Sequence, residues 1–258
     1  MDIDISFDFS SDTPGYWDHF WENNGGHGSG GKNDPDALSP TLRSYHQMLW
    51  SKELPCGKFM DLEQPNDGYL RWDDLYFGSD SITTSFRYGA FPLIEDLEKQ
   101  PGYREKIEAY IHKTYTIGGM MIFPVHHYSF NQARGMHRKI RDRWDLSLEC
   151  IRRFYAGEES PLFKPLKSDA DFYGLFCDFR GFVDYFYLQD CVTDDYQVKM
   201  WMEGIPFERP AFPQTIEEYC AFLQEELDFV QKRNKRIDEA VNNIISNSVL
   251  KEQICSEI

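Results

Sequence analysis

The sequence predicts an α+β fold, a small split β-sheet core flanked by helices and completed by a long C-terminal helix. Three observations predict it. Short β-branched and aromatic runs broken by turn residues fill much of the first half, one central segment repeats apolar residues at helical spacing, and the end of the chain carries a helix start signal followed by a long apolar stripe. The chain divides into a mixed α/β globular domain, residues 1–212, and a C-terminal helical tail, residues 213–258. Of the 258 residues, 41% are hydrophobic and 16% aromatic, enough apolar surface for the core of one large domain.

Along the chain, Tyr16, Trp17, Phe20 and Trp21 read as a short helix that packs back on the body. The stretch 23–32 (NNGGHGSGGK) that follows is too rich in glycine for a regular element. Between Leu42 and Tyr88 the runs are interrupted by Pro55, Gly57, Pro65, Gly68 and Gly78, which suits strands joined by turns. Tyr115 to Val125 (YTIGGMMIFPV) reads as a buried strand ended by Pro124. Arg141 to Tyr155 sets Trp144, Leu148 and Ile151 on one helical face, with Arg152 and Arg153 at the end where cations suit the helix dipole. Phe182 to Val192 (FVDYFYLQDCV) favours a central strand, with a buried helix of the same apolarity left open. Thr215 and Glu218 form a T-x-x-E capping box, and apolar residues recur at Ile216, Cys220, Leu223, Leu227, Val230, Ile237, Val241 and Ile244, with Asn234 at the one polar position. Such a stripe docks either on its own domain or on another protein in a coiled coil.

A net charge of −16 opposes long-range attraction of nucleic acid or anionic membrane. Any polyanion must therefore meet a local patch, and residues 131–155 offer one, with seven basic side chains against three acidic ones. In that segment Arg134, Arg138, Arg141 and Arg143 are the candidate phosphate or nucleic-acid ligands, the alternative being an internal salt-bridge network with Asp142, Asp145 and Glu149. The six cysteines contain no C-x-x-C pair, so free thiols in a reducing compartment are expected. The acidic start, MDIDISFDFSSD, lacks the positive charge of a secretory signal, and the longest apolar run, Ile117 to Val125, is too short to span a bilayer. These readings place the protein in the cytoplasm with no membrane partner.

No G-x-S-x-G elbow, Walker loop, dinucleotide fingerprint or H-E-x-x-H is present. His126 and His127 are adjacent and would point to opposite sides of a strand end, with no carboxylate or cysteine at ligand spacing beside them or His137, so no metal site is expected. A metal-independent ribonuclease would use His112 or His137 with Arg134, although the Arg104/His112 and Arg134/His137 spacings both miss the arginine-histidine spacing of helical toxin ribonucleases.

The most specific local signal is Leu75 to Tyr88, LYFGSDSITTSFRY. It resembles the segment of diphtheria-toxin-like and poly(ADP-ribose) polymerase-type ADP-ribosyltransferases in which an apolar-Tyr-Phe stretch leads into serines and a second tyrosine. Leu42 to Gln47 (LRSYHQ) resembles the strand carrying that group's histidine, and Val183 to Asp190 (VDYFYLQD) resembles its last catalytic strand, which normally begins with glutamate. The resemblance implies NAD as substrate. It implies that His46 bonds the adenosine ribose, Tyr76 stacks on nicotinamide, Ser81, Ser85 and Tyr88 bind the cofactor, and Asp184 takes the glutamate's place as catalytic acid. The sequence departs from that pattern at Gln47, Thr84 and Asp184, the last one methylene short of a glutamate. Its implied acceptor is an RNA or a protein.

Over nearly its whole length the chain also resembles an uncharacterised bacterial family (DUF6994-like), through LWSKELPCG (49–57), SDSITTSF (79–86), YTIGGMMIFP (115–124), DRWDLSLECIRRFY (142–155) and FVDYFYLQD (182–190). That resemblance implies a toxin, toxin–antitoxin or antiphage defence component. A non-catalytic protein that binds an antitoxin or other partner through its tail helix is the third reading.

Overall fold

The computed structural model describes residues 3–22, 33–65, 68–87 and 91–256, and side chains as far as residue 243. The glycine-rich stretch 23–32 and Tyr88 lie outside the described residues. The described helices are α1 (Tyr16–Glu22), α2 (Pro35–Leu38), α3 (Pro40–Trp50), α4 (Ile94–Glu98), α5 (Tyr103–Thr114), α6 (Phe130–Met136), α7 (Trp144–Tyr155), α8 (Phe163–Ser168), α9 (Ala170–Gly174), α10 (Phe179–Tyr185) and α11 (Ile216–Ser256). The strands are β1 (Leu70–Trp72), β2 (Leu75–Ser81) and β3 (Met120–Pro124). The fold is α+β, as the composition of its segments predicts.

The sheet is antiparallel in the order β1-β2-β3. Asp73, at φ 53°, turns the chain between β1 and β2 in a left-handed conformation that aspartate tolerates. Register sets Leu70 against Phe77 and Ser81 against Met120. Strand β3 is buried on both faces, so it reads as a continuous apolar run.

Two segments that the sequence assigned to strands are helices. Around His46 the chain forms α3, because Ser39 Oγ accepts the Leu42 N–H at 3.0 Å and Pro40 fills the first turn. Residues 179–185 form α10, started by Asp178, whose carboxylate accepts the Gly181 N–H at 2.7 Å. Phe182, Val183 and Phe186 have no solvent exposure while Arg180 is exposed, so the dense apolarity belongs to the buried face of a short helix rather than to a strand.

Helix α11 packs on its own domain. Thr215 Oγ1 accepts the Glu218 N–H at 3.1 Å and the Glu218 carboxylate accepts the Gln214 N–H at 2.6 Å, a reciprocal cap at the predicted start. Its buried face, however, is Tyr219, Phe222, Glu226, Phe229, Val230, Arg233, Asn234 and Ile237, while Cys220 is exposed. The Arg233 guanidinium donates to the carbonyls of Gly118 (2.9 Å), Met120 (2.8 Å) and Phe186 (3.0 Å). Asn234 Oδ1 accepts the Gly118 N–H at 2.6 Å. The helix thereby occupies backbone groups at the start of β3 that an exposed sheet edge would leave unpaired. Both glycines of the YTIGG run are required, Gly118 by this approach and Gly119 by the end of α5. A Cβ at Gly118 would lie 2.5 Å from the Val230 carbonyl, and one at Gly119 would lie 1.8 Å from that of Thr114.

Candidate active site: a two-lobed acidic cleft at the end of β2

The residues singled out in the sequence do not converge. His46 is fully buried on α3, where Trp50 Nε1 donates to its Nδ1 at 2.9 Å and its Nε2 lies 2.9 Å from Ser79 Oγ. With Nδ1 accepting, Nε2 carries the proton and donates to the serine. Burial, and then the Arg233 charge, depress its pKa to about 3, so this imidazole is a neutral structural link. Tyr76 is exposed on β2, with the Arg71 guanidinium 4.6 Å from its ring centre. Asp184 sits on α10 and accepts from Tyr196 Oη at 3.1 Å and Gln189 Nε2 at 3.1 Å. None of these three lines the cleft described below.

The basic segment is largely an internal network. Arg143 is buried and paired with Asp145, and both Arg152 and Arg153 bond Glu149. Arg141 lies 5.2 Å from the Phe212 ring, and Arg138 is exposed. Arg134, 1% exposed, pairs with Asp80 at 2.7 Å and donates to the Ser81 carbonyl. Phosphate recognition by these arginines is therefore superseded at Arg134 and Arg143, whose guanidiniums already serve carboxylates inside the fold. Among the other sequence candidates, His112 bonds Asp8, and His126 bonds Asp169 and the His127 carbonyl. Among the described residues no group of three or more His, Cys, Asp or Glu side chains is arranged to hold a metal, and no helix is long and apolar enough to cross a membrane.

Arg134 marks a different site. Where β2 ends, a cleft of about 400 Å³ opens between that strand, the loop 83–87, α5 and α6. A second lobe of about 310 Å³ lies toward β1. The two lobes share Asp34, Asp36, Asp80 and Asn131, so these side chains stand at the waist between them. The local sequence explains the placement. Asp34 caps α2 by accepting the Asp36 N–H at 3.1 Å, Pro35 opens the first turn, and Asp36 Oδ2 accepts the Ser81 N–H at 3.0 Å. Each residue of the SDS run at 79–81 thus has a defined partner: Ser79 holds His46, Asp80 holds Arg134, and Ser81 holds Asp36.

Asp36 is half-buried, its Oδ1 buried without a hydrogen-bond partner, and it lines both lobes beside Asp80. Burial first, then the charges of Asp34 and Asp80, push its pKa well above the ordinary carboxylate range. Asp142 on the opposite wall is also raised, by burial, against the pull of Arg134. Arg134 Nη1 is buried with no hydrogen-bond partner, its nearest carboxylate oxygen being Asp142 Oδ1 at 3.8 Å. Ser81, Ser85, Gln132 and Asn131 complete a polar lining, and behind it Glu226 accepts from Tyr110 Oη and from the Thr84 N–H at 3.0 Å. The waist therefore combines a carboxyl whose pKa is raised, Asp36, with an aspartate held by a guanidinium, Asp80, two environments of the kind that separate acid and base roles.

A family model matches residues 3–237. The chain belongs to the DUF6994 family. Its description is a family of unknown function, and comparisons with curated proteins and with solved structures find no match. The DUF6994 match ends at Ile237, the last fully buried residue described on α11, so most of the docking face belongs to the family's unit. Within this DUF6994 chain the LWSK run places Lys52 between the rings of Trp50, Tyr185 and Tyr187, with Nζ donating to the Tyr185 carbonyl at 2.9 Å. Burial and the Arg233 charge lower that amine's pKa to about 7.

Proposed function

We propose that the waist of the cleft performs acid–base chemistry on the glycosidic bond of a hydroxyl-rich, ribosyl-type substrate. The observation that carries this reading is the Asp36–Asp80 pair, open to both lobes and locked by Arg134. With a purine nucleoside Asp36 donates its proton to the departing base, whereas nicotinamide leaves a pyridinium riboside as a neutral ring and needs no proton. The Asp80 carboxylate accepts a proton from the attacking nucleophile and opposes the positive charge that develops on the sugar. Hydroxyls of the sugar meet the Ser81, Ser85, Asn131 and Gln132 side chains.

NAD remains the first substrate to test, because Ser81 and Ser85, expected to bind it, both line the cleft. The acid role passes from Asp184 to Asp36 and Asp80. If transfer rather than hydrolysis completes the reaction, the acceptor is an RNA or a protein, consistent with a toxin or defence role. The ribonuclease reading loses support because neither His112 nor His137 lines the cleft. Binding a partner through the tail loses support because the helix face is spent on the body.

The experiment is chromatographic detection of the released base from NAD, nicotinamide riboside and purine nucleosides, with the parent chain and with Asp36→Asn and Asp80→Asn. Asp80→Asn is expected to lose about 10²- to 10⁴-fold in rate on any substrate that releases its base, and Asp36→Asn to lose as much on purine nucleosides but not on NAD or nicotinamide riboside. No release from any of these substrates, or release unchanged in the double variant, overturns the proposal.

A further inference from the structure

The larger lobe holds a donor and an acceptor that face each other without meeting. Arg134 Nε donates to Asn131 Oδ1 at 2.8 Å, and Nη2 serves Asp80 and the Ser81 carbonyl. The N–H groups of Nη1 are thus left without a partner among the described residues, on a side chain that is 1% exposed. Asp142 Oδ1 lies 3.8 Å from Nη1, beyond the ~3.2 Å reach of a direct hydrogen bond. Both residues line the lobe. The backbone is shaped to bring this carboxylate there. Arg141 and Asp142 both take left-handed conformations, at φ 48° and 63°, a costly pairing for two L-residues and one of the kind that gathers at binding sites. It is held by the Arg141 N–H on the His137 carbonyl at 2.9 Å and the Asp142 N–H on the Arg134 carbonyl at 3.3 Å. Gly135 supplies the room, since a Cβ there would lie 3.1 Å from Asp142 Oδ1.

The charges decide what fits. Arg134 and Arg87, which both line the lobe, are already answered by Asp80 and Glu98, so no spare positive charge is offered to a phosphate. A neutral group that accepts from Nη1 and donates to Asp142 suits the gap. Hydroxyls on adjacent carbons do both, one oxygen accepting while its neighbour donates. Resting on the reading of the waist as a site for a ribosyl substrate, we infer that Arg134 Nη1 and the Asp142 carboxylate clamp the 2′- and 3′-hydroxyls of that sugar, so that the cleft takes ribosides and discriminates against deoxyribosides. Nη1 and Nη2 are two ends of one planar guanidinium. Hydroxyls held on the first therefore stand beside the Asp80 carboxylate held on the second, which places the anomeric carbon next to the waist.

Binding tests this without requiring turnover. Adenosine, uridine and the 2′-deoxy and 3′-deoxy forms of each are titrated into the full chain and followed by ligand-observed saturation-transfer NMR, using the parent, Asp142→Gly and Asp142→Asn. Glycine suits a φ of 63° and asparagine tolerates it, so both variants are expected to fold, with melting curves as the control. The parent is expected to bind at least one of the ribosides and to bind its deoxy forms about tenfold or more weakly, because a missing hydroxyl leaves a charged group unmatched. In Asp142→Gly the riboside is expected to weaken by a similar factor. Its preference over the deoxy form lacking the hydroxyl that met Asp142 should then fall to within about twofold. Asp142→Asn, which keeps a neutral acceptor, should fall between parent and Asp142→Gly. Equal binding of riboside and deoxy forms by the parent, a preference unchanged in both variants, or no binding of either riboside at millimolar concentration overturns the clamp. A preference that depends on Asp142 without base release leaves the clamp standing and refutes the acid–base reading. Base release indifferent to Asp142→Gly does the reverse.

Discussion

Replacing Gly118 by alanine adds one methyl group at the tightest contact between α11 and the sheet. The new carbon would lie 2.5 Å from the Val230 carbonyl oxygen and 2.6 Å from Asn234 Oδ1, each about 1 Å inside ordinary contact. The Val230 oxygen belongs to the helix backbone and cannot rotate away, so helix or strand must shift. Overpacking of this kind costs about 1–3 kcal/mol. The shift also stretches the Gly118 N–H bond to Asn234 and the two Arg233 bonds to Gly118 and Met120, and losing part of these charge-assisted bonds adds about 1–3 kcal/mol. Taken together, about 2–6 kcal/mol is a large share of the roughly 5–15 kcal/mol that keeps a domain folded. For a chain of this size each kcal/mol moves the melting temperature by about 2–3 °C, so Gly118→Ala should melt about 4–18 °C below the parent. Circular dichroism against temperature and urea measures both quantities. A variant that melts within about 2 °C of the parent refutes the idea that the glycine is required by helix approach.

Other outcomes follow from the same contacts. His46 has a folded pKa near 3 against an unfolded value of 6.5, so its contribution is complete above about pH 6.5 and is lost as pH falls toward 3, at up to about 1.4 kcal/mol per pH unit. The parent should lose stability from pH 6.5 to 4 in urea titrations, and His46→Gln should lose less over the same interval. Arg134→Ala leaves Asp80 and the Ser81 carbonyl without their buried partner and should cost about 3–5 kcal/mol, whereas Arg138→Ala, at an exposed position, should change the melting temperature by less than about 1 °C. Truncation before residue 216 removes Glu226, Arg233 and Asn234 and should yield a chain without a cooperative melt. Truncation after residue 243 should keep one, because it retains Glu226, Arg233, Asn234 and Ile237.

The fold class, the helix at 144–155, the strand at 120–124 and the start of α11 were legible because each follows from local periodicity or a cap. The phase of α11 was legible only in its second half, where Val230, Asn234 and Ile237 lie on the expected stripe and are buried. In the first half an apolar scan selects Cys220, Leu223 and Leu227, while the buried face runs one step earlier through Tyr219, Phe222 and Glu226, and the scan passes over Arg233, because Glu226 and Arg233 are polar groups whose burial depends on backbone groups more than a hundred residues away. The helix around His46 carried a readable signal in Ser39-Pro40, a cap followed by proline in the first turn, which the nearby turn residues outweighed. The candidate site was half visible. Asp80, Ser81, Ser85 and Arg134 lie in segments the sequence singled out, but Asp36 reads locally as part of a capped turn, and only the pairing of α2 with the end of β2 reveals that it meets Asp80. Asp184 and His46 misled because residue type and order say nothing of direction, and one proved to face Tyr196 while the other was sealed beneath Trp50.

Arg233 gathers the carbonyls of Gly118, Met120 and Phe186 on a single guanidinium. Three stretches of backbone distant in sequence are therefore tethered through one side chain, and none can separate without exposing a buried cation. Amide protons near those carbonyls should exchange with deuterium together, at the rate of whole-molecule opening rather than of local fraying. The start of β3, the end of α10 and the middle of α11 then behave as one cooperative unit.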